Sequence, residues 1–216
     1  MEHQDNMQGP RDAEITGDVA RRILDEQVRL LYRPAIPLVV NAVNTLIVAG
    51  VLWQQFPVLA PIWAGLMAAL LAGRVLLRRA YMASPTVPDT AVWARRHAIG
   101  AGLTGLLWGA TATVLAFPVL PVYQLFVCLV IVGMSAGAVA ALSFHLPSLL
   151  AFIIPCVLPA VAALATHGEL AVAGLAAMGL VFLLALIGLA RTLNTARCAS
   201  ARLWYNPPHS LRPLSS

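Results

Sequence analysis

The sequence contains little charge and no lysine. Asp, Glu, Lys and Arg make up 11% of its 216 residues, whereas a soluble domain usually has about 25%. All 14 basic residues are arginines, and hydrophobic residues reach 60%. Together with a mean hydropathy of +0.81, this composition excludes a soluble globular domain. It predicts a membrane protein whose main partner is the lipid bilayer.

Cysteines and signal-peptide features are also scarce. Cys128, Cys156 and Cys198 are too few and too scattered for a disulfide framework. Residues 1–33 hold seven of the nine acids, so they lack the basic start and the apolar core of a cleaved signal peptide. We therefore expect residues 1–33 to remain on the protein as a cytoplasmic N-terminal segment.

Apolar residues in 16–33 follow helical spacing, which predicts an amphipathic helix within this segment. Such a helix has two interpretations that the sequence leaves open. In one, its apolar face contacts the lipid surface or a second copy of the chain, as in a homodimer. In the other, it is a solvated helix that merely precedes the first membrane span.

Residues that could perform chemistry are nearly absent from the apolar runs. No span contains a pair of carboxylates, and no glycine-rich phosphate loop is present. A proton-coupled or ion-coupled transporter usually needs ionisable groups near the midplane of the membrane, and these runs offer mainly amides and hydroxyls. The five histidines fall on different predicted loops and on both sides of the membrane, which predicts no metal site: His3, His97, His145, His167 and His209. We expect no catalytic residue and no cofactor.

One literal match to a catalytic motif occurs at Gly133-Met134-Ser135-Ala136-Gly137, which fits G-x-S-x-G. That chemistry needs a strained turn between a strand and a helix, with a histidine and an acid in reach. Here the pentapeptide is predicted inside a hydrophobic helix. A rhomboid-like protease would pair a serine of the fourth span with a histidine of the sixth, and residues 170–190 contain none.

The apolar runs predict an all-α polytopic membrane protein with six transmembrane helices. Each run is close to the 20 residues that a helix needs to cross the hydrocarbon core. The predicted spans are 35–53, 58–77, 98–117, 122–142, 146–166 and 170–190. The chain then divides into a cytoplasmic segment 1–33, a six-helix transmembrane domain 34–190 and a short cytoplasmic tail 191–216.

The arginines predict the orientation of these spans. Five precede the first span, five lie in or between the second and third, and four follow the sixth, so none remains for the opposite side. Because arginine-rich short loops stay in the cytoplasm, both termini and the connection 78–97, which is interpreted as a loop, are expected there. The chain is thus predicted to be a multi-pass protein of the bacterial cytoplasmic (inner) membrane. The net charge of +5 reflects this topology, and no nucleic-acid partner is expected.

Small residues predict where the spans pack. Gly105 and Gly109 of the third span could dock on a ridge of the fourth span formed by Gly133, Gly137 and Ala141.

Two asparagines and one arginine also lie inside the predicted spans. Asn41 and Asn44 share one face of the first span, and contacts with neighbouring helices are favoured over contacts with a ligand. Arg74 lies near the end of the second span and is expected to reach the headgroups with its long side chain.

Three segments of residues 26–203 resemble the six-span N-terminal module of bacterial signalling proteins, in which a diguanylate cyclase (GGDEF) or histidine kinase output domain follows. The segments are EQVRLLYRPAIPLVVNAVNTL, WARRHAIGAGLTGLLWGA and QLFVCLVIVGMSAGAVAALSFHLPSLLAFIIPCVLP. The order of Tyr32-Arg33, Trp108-Gly109, Gly133 to Gly137, and Pro155 with Pro159 carries the likeness. The resemblance implies that the sixth span continues into a helix that transmits signals.

The resemblance favours a membrane-embedded sensory or anchoring module. After a predicted helix that runs to Trp204, Asn206-Pro207-Pro208 ends the helix and only a short tail follows. The expectation is therefore a chain without an output domain and without enzymatic activity, acting through a separate cytoplasmic signalling partner. The alternatives are a small-solute transporter or channel-like protein and a purely structural membrane subunit.

Overall fold

The computed structural model describes residues 21–84, 89–116, 121–166 and 170–205. Within these ranges the protein consists of seven helices and no strand, which confirms the all-α prediction. A π-helical segment, Thr111–Ala116, continues the fourth helix directly. The helices are α1 (Arg21–Tyr32), α2 (Ile36–Leu52), α3 (Leu59–Ala83), α4 (Thr90–Ala110), α5 (Pro121–Leu142), α6 (Leu146–Ala165) and α7 (Leu170–Tyr205).

Five of the described helices, α3 to α7, are long and apolar enough to cross a membrane. The helices α1 and α2 form a pair bent by 40° that would make a sixth span. Large apolar side chains face outward on every long helix, as lipid contact requires. Examples are Leu46 on α2, Leu66 on α3, Leu106 on α4, Leu129 on α5, Leu158 on α6 and Leu184 on α7. The protein is therefore a helical membrane protein.

The connection predicted as a loop over residues 78–97 is mostly helical, so that prediction is wrong. Helix α3 continues to Ala83 and α4 already begins at Thr90. Asp89 caps the start of α4, because its carboxylate accepts a 3.3 Å hydrogen bond from the Val92 backbone N–H. At the other end of the chain, α7 runs unbroken to Tyr205, and Asn206-Pro207-Pro208 lies outside the described residues.

Helices α4 and α6 form the closest helix pair and the centre of the bundle. A Cβ atom added to Gly105 would overlap the Phe152 carbonyl oxygen and lie 3.1 Å from the Phe152 Cα. Gly109 meets the carbonyl of Pro155 in the same way. Since Pro159 has no N–H, this Pro155 carbonyl lacks its usual helical donor. Glycine on α4 thus lets two backbones touch where α6 exposes a carbonyl.

The sequence predicts that the glycines of the third span dock on the fourth span. This prediction is wrong, because the α4 glycines face α6. A Cβ atom added to Gly133 or Gly137 of α5 would meet no atom within 4 Å. Small residues at regular spacing show that a close approach is allowed, but they do not say which helix makes it. On α5 the ridge borders an open groove.

Helix α1 packs on one end of the bundle. Val28, Leu31 and Tyr32 are buried there, so α1 is more than a solvated helix ahead of the first span. Arg78 of α3 donates hydrogen bonds of 2.9 Å and 3.0 Å to the carbonyls of Tyr32 and Arg33. These bonds give a donor to backbone carbonyls at the C-terminal end of α1. We call this end of the bundle, with α1, the α3–α4 connection and the α5–α6 turn, the arginine end.

Candidate functional site

A groove of about 510 Å³ lies between α2 and α5, and residues of α4 and α6 also line it. It extends from the arginine end toward the middle of the bundle. Its volume is within the range of small-molecule sites, roughly 300 to 1,000 Å³. Its lining comprises Pro34, Ile36, Pro37, Val40, Asn41, Asn44, Arg74, Ala101, Gly133, Met134, Gly137, Ala138, Ala140, Ala141, Leu142, Phe144 and Phe152.

Arg74 of α3 supplies the only charged side chain among these lining residues. It passes Gly100, where an added Cβ atom would lie 3.4 Å from the Arg74 Cγ, and donates a 3.3 Å hydrogen bond to the Thr104 hydroxyl. Thr104 lies one turn further from the arginine end than Gly100. The side chains of a helix point toward its N-terminus. In α3 this direction leads from Arg74 into the bundle. The expectation that Arg74 reaches the headgroups is therefore wrong.

Asn41 connects the groove to a buried pair of tryptophans. Its Oδ1 accepts a 3.2 Å hydrogen bond from the Trp108 Nε1–H, and Asn41 is only 3% exposed. Trp63 lies edge-on to Trp108 with ring centroids 5.4 Å apart, and its Nε1–H donates to the Leu107 carbonyl at 3.0 Å. The Asn41 side chain thus makes a contact between helices and at the same time lines the groove.

Asn44 lies one helical turn further along the same face of α2. Its Nδ2 contacts the Met134 sulfur of α5 at 3.0 Å. A thioether is a weak acceptor, so a stronger acceptor could replace it at little cost. The structure therefore brings together Asn41, Asn44 and Arg74, which the sequence places on two different helices.

Aromatic rings hold α1, α3 and α4 together at the arginine end. Tyr32 stacks on Tyr81 with centroids 4.4 Å apart, and its hydroxyl donates to the Trp93 carbonyl at 3.0 Å. Trp93 packs edge-on against both tyrosines. The Arg96 guanidinium lies 5.1 Å from the centre of the Trp93 ring, a cation–π contact. The residues of this cluster do not line the groove themselves.

Two histidines that sequence reasoning assigned to separate loops share one serine. Ser148 Oγ lies 2.8 Å from His145 Nδ1 and 3.1 Å from His97 Nδ1. His145 Nδ1 also accepts from the Ser148 backbone N–H, so it carries no proton; the Ser148 hydroxyl then donates to His145, and His97 donates to Ser148. Burial lowers the pKa of His145, which lies in the turn between α5 and α6. The arrangement caps α6.

The α5–α6 turn is tied to α7 by Asn194. The Nδ2 group of Asn194 lies 3.2 Å from the Ser143 carbonyl and 3.1 Å from the Phe144 carbonyl. Phe144 also lines the groove. Sequence reasoning missed Asn194, and the one available signal was a polar amide on the apolar continuation of the sixth span. This residue therefore attaches the turn that carries Phe144 to the last helix.

The G-x-S-x-G match lies within α5, as the sequence predicts. Ser135 is buried, and its hydroxyl is 4.0 Å from the Cys156 sulfur of α6, a weak contact with no base. In the described part of the chain, no three metal-ligating side chains come together. The arrangement at the groove is suited to binding, because it offers donors and a positive charge beside apolar walls.

No known protein family, curated protein or solved structure matches the chain. The features of the molecule that bear on its function are the groove, the contacts around it and the continuous helix α7.

Proposed function

We propose that the protein is a sensory module of a bacterial signal-transduction system, embedded in the cytoplasmic membrane through six spans. The groove is its input, and α7 transmits the signal to a separate cytoplasmic signalling partner. The observation that carries this proposal is the pair of contacts from Asn194 to the carbonyls of Ser143 and Phe144. They join the wall of the groove to the helix that leads out of the bundle.

The length of α7 supports a role in transmission. Its 36 residues span about 54 Å at 1.5 Å per residue, whereas the hydrocarbon core is about 30 Å thick. Helix α7 also packs along α6, which lines the groove through Phe152. A rigid helix of this length carries a rotation or a shift from the groove to a partner beyond the membrane.

Fusion of a diguanylate cyclase domain in helical register after Leu203 tests this transmission. Inserting one or two residues at the junction should change cyclase activity several-fold, because each residue rotates the helix by about 100°. An insertion of seven residues returns the register to within about 20° and should restore the activity. Cyclic dinucleotide formed by isolated membranes is the measurement.

The same fusion tests the tether. Asn194→Leu removes both contacts to the α5–α6 turn and should shift the activity, whereas Thr192→Val should not, since the Thr192 hydroxyl bonds the Gly188 carbonyl within α7 at 3.1 Å. If neither the insertions nor Asn194→Leu changes the cyclase activity, the module is only a membrane anchor.

The proposed topology places both termini and the α3–α4 connection in the cytoplasm. This follows from the arginines, which retain short loops on that side. Reporter fusions after residue 33, within 85–88 and after residue 205 should all give the cytoplasmic signal of a paired phosphatase and fluorescent reporter. A periplasmic signal from the fusion within 85–88 would contradict the six-span arrangement.

A transporter is the second candidate, because Arg74 is an ionisable residue that points into the bundle. Such residues often mark substrate pathways in membranes. Flux of an organic anion into proteoliposomes, lost in Arg74→Leu, would favour this candidate over the sensory one.

A further inference from the structure

The groove offers hydrogen-bond donors and a positive charge but contains no acid. Arg74 gives one of its five N–H groups to Thr104. Asn41 uses its Oδ1 for Trp108, and no residue of the described ranges accepts from its Nδ2. None of the lining residues is acidic. A cation in an apolar bundle is stabilised by an anion, so the partner that these groups lack is a negatively charged group with acceptor oxygens.

The rest of the groove is apolar and long. Gly133 and Gly137 leave space along α5, since an added Cβ atom on either would meet nothing within 4 Å. Phe144 and Phe152 complete the apolar lining. A hydrocarbon chain is the complement of such a surface. The volume of about 510 Å³ suits one chain, and is small for the two chains and the glycerol headgroup of a phospholipid.

We propose that the groove binds a single-chain acyl carboxylate, with its carboxylate at Arg74 and Asn41 and its chain along the Gly133 and Gly137 face of α5. The planar guanidinium matches the two oxygens of a carboxylate. This inference deepens the proposed sensory function, and it rests on that function only in treating the ligand as the stimulus.

Binding of radiolabelled hexadecanoate to the full chain, purified in a neutral detergent, tests the site without any output domain. Unlabelled hexadecanoate should compete, whereas hexadecanol and phosphatidylglycerol should compete poorly. Arg74→Leu should weaken binding by about 10- to 100-fold, the range expected when a hydrogen-bonded charge is removed. If the fused cyclase does not respond to the insertions but hexadecanoate binds, the sensory function is wrong and the binding site stands. If hexadecanoate does not bind, the binding site is wrong and the fused cyclase still tests the sensory function.

Two glycines provide a matched pair of variants that keep Arg74. Gly137→Leu places a side chain in the groove and should abolish binding. Gly73→Leu should not, because Gly73 faces a shallow outer pocket on the other side of Arg74 and an added Cβ atom there also meets nothing. Both substitutions favour the helix equally.

Three outcomes would overturn the assignment. Equal competition by hexadecanol would show that the carboxylate is not recognised. Equal competition by phosphatidylglycerol would contradict a single-chain ligand. Loss of binding in Gly73→Leu, with normal binding in Gly137→Leu, would show that hexadecanoate binds in the outer pocket. The melting temperature of each ligand-free variant shows whether it is folded.

Discussion

Gly109→Ala is expected to destabilise the folded protein strongly. The new Cβ atom would overlap the Pro155 carbonyl oxygen and lie 2.9 Å from the Pro159 Cγ. Since one neighbour is backbone and the other a rigid ring, α4 and α6 would have to move apart. Overpacking costs about 1 to 3 kcal/mol, and adding Gly105→Ala should raise the loss enough to abolish folded protein. Thermal unfolding in detergent measures the effect.

Gly137→Ala is the matched control, because it also replaces a glycine in the middle of a helix but meets no atom within 4 Å. Alanine favours the helix over glycine by about 1 kcal/mol, so this variant should melt at the same temperature as the parent or slightly higher. If Gly109→Ala melted like Gly137→Ala, the close approach of α4 and α6 would be wrong.

Trp108→Ala is expected to destabilise the folded protein more than Gly109→Ala does. The side chain is fully buried, contacts Trp63 and donates to Asn41. Truncation of a buried tryptophan costs about 3 to 5 kcal/mol through lost contacts and the cavity that remains. The melting temperature in detergent should fall accordingly.

Two further tryptophan variants separate the causes. Trp53→Ala removes a side chain that is 53% exposed, and it should change stability by no more than about 0.5 kcal/mol. Trp108→Phe retains an aromatic ring but loses the hydrogen bond to Asn41, which costs about 1 kcal/mol. A Trp108→Ala variant as stable as Trp53→Ala would contradict the burial of Trp108.

Helix boundaries were predictable where composition changes sharply, and less so where it changes gradually. The start of α6 at Leu146 and its end at Ala165 agree closely with the predicted fifth span. The arginines around 78–97 predict a loop if each is assumed to end a helix, but arginine is a good helix former. Here polarity marks where the membrane ends, and the helix continues past that point.

The residues of the groove show what sequence reasoning could and could not find. The sequence alone singles out Asn41, Asn44, Gly133 and Gly137, because amides and glycines stand out in apolar runs. The meeting of these residues with Arg74 depends on which helices are neighbours. The direction of the Arg74 side chain was predictable from helix geometry, once it was known that the N-terminus of α3 points into the bundle.

By itself the sequence determined that this protein is a helical membrane protein, because long runs without charge allow no other stable backbone in lipid. Only the tertiary structure decided that the glycines of α4 face α6, that those of α5 border a groove, and that Asn194 ties the groove wall to α7. The reason is physical. Hydropathy and spacing act within one helix, whereas the choice of neighbour depends on the complementary shapes of whole helix surfaces.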